Sequence, residues 1–420
     1  VAVDARDCAI VGTMANLSAL NESTRYAFAF DDSVPGEIRV QVSGSPATIV
    51  WNQNGVSGQW DALATSNWLN SGTPDSFRQL DSVVFSDTSS PALQVSLVGS
   101  LQPSTVLVDS TRNYVLGGSG RISGTASLVK TGTGILTINN GNDFSGVTEI
   151  NSGTLKIGNP SALGTLSDIT VNGTGALDMN ALALAPKSLV IQGSGPDGSG
   201  ALINSSSSPQ TTALPSLALS GLAAIGGLGR WDLRASPAST LAGNNYSLTK
   251  TGPNEIWLAE AGSTGLGDIS IVQGLLGFEG STTLGDPART ITVSSNACIG
   301  LHNTDQNVLS KAMILNSGGI DNRSGNNSFS GTIGLNGSNY ISTASPLVLM
   351  GAISGTGSLT KLGSAALSLT TANPYTGETI VSAGTLQTYN GSALGNAGAG
   401  TTIAANARLD LMGSNLGAET

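Results

Sequence analysis

The string Ser127-Leu128-Val129-Lys130-Thr131-Gly132 occurs three times in recognisable form. Its second copy is Ser247-Leu248-Thr249-Lys250-Thr251-Gly252, and its third is Ser358-Leu359-Thr360-Lys361-Leu362-Gly363. The step from Lys130 to Lys250 is close in length to the step from Lys250 to Lys361. Each lysine is followed by an apolar alternation, at Leu136/Ile138, Ile256/Leu258 and Leu367/Leu369. A Gly-x-Leu step comes next, at Gly153-Thr154-Leu155, Gly274-Leu275-Leu276 and Gly384-Thr385-Leu386. Leu163-Gly164, Leu284-Gly285 and Leu394-Gly395 then follow, at offsets from their lysines that agree to within a single position. A further apolar residue follows at Leu177, Ile299 and Leu409. Offsets held this closely mark an internal repeat, and a repeat dictates the architecture.

Within each unit, short aliphatic and β-branched runs end in turn residues. Ile135-Leu136-Thr137-Ile138 runs into Asn139-Asn140-Gly141, and Ile169-Thr170-Val171 into Asn172-Gly173. Such punctuation reads as short strands. Isolated hairpins of this length are marginal. Stacking each strand on its counterpart one coil later pairs the backbone fully, at about 4.8 Å per strand. Inward aliphatics then alternate with outward Thr or Ser, and glycine takes corners that need φ > 0. The expected fold is all-β: a right-handed parallel β-helix (β-solenoid) forming a single elongated rod. Coils of about 20–25 residues give roughly 17–21 of them. Tyr26–Phe30 and Ile38–Val42 alternate cleanly and read as ordinary solenoid strands. The one helical candidate, Ala181–Ala185, is short and closed by Pro186. The repeats divide the chain into N-terminal coils over 1–120, with a Trp-rich segment at 51–68, then units over 121–243 and 244–352. A third unit, 353–420, is incomplete.

Composition fits this reading. Glycine takes 56 of 420 positions, charged residues only 10%, and the net charge is −10. No apolar run is long enough for a transmembrane helix. No basic cluster exists, so nucleic-acid binding lacks its main driving force. Cys8 and Cys298 are too far apart in sequence for a disulfide framework or a metal site, and two free thiols are expected. The chain opens Val1-Ala2-Val3-Asp4 without a signal-peptide pattern and stops mid-unit. A removed leader, or a place inside a longer protein, is the expectation.

Lysine-led strands followed by Phe144-Ser145-Gly146 or Tyr375-Thr376-Gly377, then Gly-Thr-Leu and Ala-Leu-Gly, resemble the passenger-associated transport repeat. This is the autotransporter-associated β-strand repeat of large bacterial surface proteins. The resemblance covers about 122–179, 244–301 and 353–411. It implies a β-solenoid exported to the bacterial surface or secreted, and it implies no particular ligand. Trp51-Asn52, Gly58-Gln59-Trp60-Asp61 and Asn67-Trp68 are similar to a module preceding such repeats in long secreted proteins.

Candidate chemistry is sparse. His302 is the one histidine, with no nucleophile motif beside it, and reads as a polar turn residue. Asp31-Asp32 and Asp4/Asp7 are the nearest carboxylate pairs; each reads as a solvated turn or corner, with a fortuitous Ca²⁺ site as the lesser alternative, and no cofactor is expected. Arg230 and Arg234 flank Asp232 as an outward ion-pair patch. Lys130, Lys250 and Lys361 recur at one corner, where a basic residue caps carbonyls or interrupts edge pairing. Trp51, Trp60 and Trp68 read either as indoles packed together or as a glycan-stacking platform. The sequence-level reading is a non-enzymatic extracellular rod, stalk or adhesin passenger. Two alternatives stay open: a carbohydrate-binding or polysaccharide-degrading β-helix meeting cell-surface glycans or matrix, and a self-associating fibre subunit. The fibre reading comes from Ala418-Glu419-Thr420 running into Val1-Ala2-Val3 much as Pro186-Lys187-Ser188 runs into Leu189-Val190-Ile191.

Overall fold

The computed structural model describes residues 3–4, 23–31, 33, 37–53, 58–87, 93–165, 168–184, 187–304, 309–413 and 415–416. Cys8, Asp7, Asp32 and the 418–420 tail lie outside them, with the expectations placed on them. The described chain is all-β, a parallel β-solenoid of about 14 turns. Its one helical element is the single 3₁₀ turn Pro196–Gly198. Residues near Ala181 form a turn, with Asn180 and Ala181 both at positive φ.

Two compact units divide the chain. In the first, comprising Val1–Thr148 and Ser161–Leu166, the strands Ser82–Ser86, Thr105–Asp109 and Ser127–Lys130 stack in parallel. Ser82, Thr105 and Ser127 are in register, and the coils they delimit have the length that the sequence predicts. Val83, Val106 and Leu128 form one inward column, with almost no exposed surface.

Earlier strands depart from expectation. Ala27–Asp31 and Val3–Asp4 both pair antiparallel with Glu37–Ser43. Thr48–Trp51 pairs antiparallel with Trp68–Asn70, and that strand antiparallel with Thr73–Asp75. Tyr26–Phe30 and Ile38–Val42 are therefore not ordinary solenoid strands. Side chains alternate with period two in either sheet type, so alternation cannot reveal strand direction. Residues used in these antiparallel pairs, and in long excursions such as 194–200, bring the count to about 14 turns rather than the 17–21 expected.

The second unit comprises Glu149–Pro160 and Ser167–Thr420. One sheet runs through ten strands, from Gln210–Leu214 to Thr401–Ile403, and another through five, from Asn327–Phe329 to Ala407–Leu411. The Gly-x-Leu glycines, Gly153, Gly274 and Gly384, sit at φ 67, 72 and 66. This left-handed conformation is costly for other residues. It turns the chain between consecutive inward positions.

The repeat motifs also explain one another. Phe144 and Tyr375, from Phe-Ser-Gly and Tyr-Thr-Gly, are buried. Their rings lie against Gly164 and Gly395, the glycines of the Leu-Gly step, where a Cβ would come within 2.9 and 2.8 Å of a ring carbon. In the middle repeat Leu266 stands at the corresponding position, with its backbone against Gly285.

Candidate functional site

Trp51, Trp60 and Trp68 come together, but facing inward. All three have no exposed surface, as does Phe77. Trp51 and Trp68 meet edge to face with centroids 5.0 Å apart, and Trp60 and Trp68 at 5.4 Å. Trp60 also meets Phe77 at 5.5 Å and Phe85 at 5.7 Å. These are the geometries the ring quadrupoles favour. The glycan-platform reading is corrected: a pyranose needs an exposed indole face, and none of the three offers one. The polar letters of the motif hold the plug in place. Asp61 Oδ1 accepts the backbone N–H groups of Ala64 and Thr65 at 3.0 and 2.9 Å. The Asn67 side chain donates to the Gln59 carbonyl at 2.8 Å.

The three repeat lysines occupy inward core positions, not corners. Lys130 is in register with Val108, Lys250 with Ile225 and Ile271, and Lys361 with Ile341 and Val381. Each has no exposed surface. The stem lies among aliphatics while the ammonium reaches the corner carbonyls. Lys250 Nζ donates to Thr251 O at 2.7 Å, Gly252 O at 2.8 Å and Gln273 O at 3.0 Å. Lys361 Nζ repeats this with Leu362 O, Gly363 O and Ala383 O at 2.8, 2.8 and 3.0 Å. Lys130 Nζ donates to Thr131 O and Gly132 O. Carbonyl capping is thus borne out from an inward starting point. Burial pushes Lys130 and Lys361 down to about 8, and Lys250 to about 7. Lys311, which the repeat does not mark, makes a similar cage with Leu266 O, Gly267 O and Asp286 O.

The densest polar constellation lies on the outward face of the ten-stranded sheet. Asp232, Trp257, Gly277, Gly300 and Asp321 are in register on five successive strands. Gly277 and Gly300 leave a trough, which the Trp257 indole fills. A Cβ at Gly277 would stand 2.3 Å from the ring, and one at Gly300 2.9 Å. The Arg230 and Arg323 guanidiniums lie 5.4 and 5.3 Å from the ring centroid, within cation–π range. Beside the ring, Leu275, Cys298 and Tyr340 complete a small external apolar cluster.

Ion pairs roof this layer. Asp232, fully buried, receives Arg230 Nε at 2.9 Å and Arg234 at 3.1 Å. Arg234 also grips Glu279 through two bonds of 2.7 Å. Arg323 grips Glu255 at 2.9 and 2.7 Å and reaches Asp321 at 2.8 Å. Hydrogen bonding to these arginines holds the Glu255 and Glu279 carboxyls below the usual range. The patch foreseen at Arg230, Asp232 and Arg234 is real but far larger than its sequence-local core. Glu255, Trp257, Glu279 and Arg323 were missed; their partners lie 45 and 68 residues away, and no local pattern marks them.

His302 ends the strand Ala297–His302 rather than sitting in a turn, and its ring meets Trp257 edge-on at 6.1 Å. Cys298 is a free buried thiol that burial pushes up to about 12. Among the described residues no group of three or more His, Cys, Asp or Glu side chains is placed to hold a metal. Asp31 accepts the Ser33 N–H at 2.9 Å. No helix among the described residues is long and apolar enough to cross a membrane.

The passenger-associated transport repeat matches the chain at residues 128–157 and 359–387. These are the first and third of the internal repeats. No curated protein and no solved structure matched. The repeat and the solenoid together fit an autotransporter passenger-type structural protein, a family that points to an extracellular or surface location.

Proposed function

We propose that this chain is a non-enzymatic, load-bearing segment of a bacterial surface or secreted protein, a stalk that works without a cofactor. The observation that carries this reading is the use of polar chemistry. Buried Lys250 and Lys361 reach a carbonyl of the next coil as well as their own corner, and the arginines of the outward patch satisfy carboxylates on other coils. These groups hold coil to coil. In-register parallel strands loaded along the stacking axis share force across many backbone hydrogen bonds.

Single-molecule pulling tests the proposal. Tethered at both ends, the chain should resist extension and then release length in steps of one or several coils, each of about 20–25 residues. Smooth extension at low force, without steps, would overturn a load-bearing role. Turnover of a polysaccharide by the purified protein would overturn the non-enzymatic one.

A further inference from the structure

We infer that the five strands from Trp231–Leu233 to Gly319–Ser324 form one cooperative block, locked lengthwise by overlapping side-chain clasps that make it open as a unit. In a solenoid each coil ordinarily contacts only its neighbours, so stability is a sum of nearest-neighbour terms and coils can open singly. Here two clasps reach further. Arg234 follows the strand Trp231–Leu233 and holds Glu279 in Gly274–Glu279, two strands on. Arg323 in Gly319–Ser324 holds Glu255 in Glu255–Ala259, three strands back.

The spans overlap on Glu255–Ala259 and Gly274–Glu279. Trp257 ties them together, because Arg230 from one end of the block and Arg323 from the other lie over the same indole. The strand Ala297–His302 carries neither clasp residue, yet it is tied to the same indole at two points. Its Gly300 lies under the indole, and its His302 meets the ring edge. No strand in the block can lift away while its neighbours stay without breaking a two-pronged Arg–carboxylate bond or uncovering the indole. The two clasp arginines and Arg230 are about two-thirds covered, with side-chain exposures of 29–35%, so salt screens the pairs only in part.

Hydrogen–deuterium exchange on the full chain at neutral pH, read by mass spectrometry, tests this. All five strands should exchange at one shared rate, slower than Leu347–Leu349 and Thr379–Val381. Arg323→Gln should raise exchange roughly ten-fold or more not only in its own strand but in Trp231–Leu233, at the far end of the block. Arg323→Lys, which keeps a positive charge beside Glu255 and Asp321, should retain much of the protection that Arg323→Gln loses. Acceleration confined to Gly319–Ser324 and the strands directly paired with it would overturn the inference. A salt titration of the unaltered chain guards against a variant that fails to fold. From about 50 mM to about 1 M KCl the five strands should accelerate together, and acceleration one strand at a time would also overturn it.

Discussion

Replacing Lys250 by Met tests the strangest feature of the core, a positive charge in an aliphatic column. Met keeps the volume of the stem between Ile225 and Ile271 and removes the ammonium. The informative variable is pH. The unfolded side chain titrates near 10.5, and burial pushes the folded one down to about 7. Between those values the unfolded chain binds the proton and the folded chain does not, so stability rises with pH. Below about pH 7 the cost of burying the charge is present in full, and above about 10.5 it is gone. Burial corresponds to roughly 3 kcal/mol gained from pH 7 to pH 10. The unaltered protein should therefore gain about this much relative to Lys250→Met over this range. Opening free energies of the strand Leu248–Lys250, from hydrogen exchange corrected for intrinsic rates, measure it directly. Parallel pH profiles for the two proteins would refute the buried-ammonium argument.

Other expectations follow from named contacts. Gly277→Ala places a methyl 2.3 Å from the Trp257 ring, forcing the indole off both guanidiniums, and should cost about 2–3 kcal/mol in urea unfolding. Trp60→Ala opens a cavity in the sealed plug and should cost about 3–5 kcal/mol, with loss of the near-ultraviolet circular dichroism of the cluster. Cys298, measured in a Cys8→Ser background, should be inert to a thiol reagent at pH 8 in the native state and react fully in denaturant.

Architecture was more legible than placement. The lysine-led repeat, with Leu128, Leu248 and Leu359 each two positions before its lysine, carries the solenoid because parallel stacking is the one arrangement that satisfies so many short strands. Strand direction before residue 75 was not legible, since Phe28 and Phe30 alternate equally well in an antiparallel pair. The tryptophans were legible as a cluster but not as a plug. Sequence shows that Trp51, Trp60 and Trp68 are near one another; only the fold shows which way they face. Lys250 was read as a corner residue because a charge in a core column contradicts the usual rule, and the carbonyls that relieve it come partly from the next coil. The clasp stayed hidden for a related reason. Arg323 and Glu255 meet only because intervening coils bring positions 68 residues apart onto one face.

The middle repeat has Leu266 where the other two have Phe144 and Tyr375, and its outward face carries Trp257. The inward lysines bear on a different hazard. Short aliphatic strands in a repeating chain are nearly interchangeable, and a folding solenoid can stack the wrong pair. An aliphatic column tolerates that error. Lys250 and Lys361 tolerate it less, because each ammonium takes two carbonyls from its own corner and a third from the following coil, Gln273 O and Ala383 O, and out of step it would lose that third partner inside the core. The same charge that burdens the core at these two positions thus favours the right neighbouring coil as the chain winds.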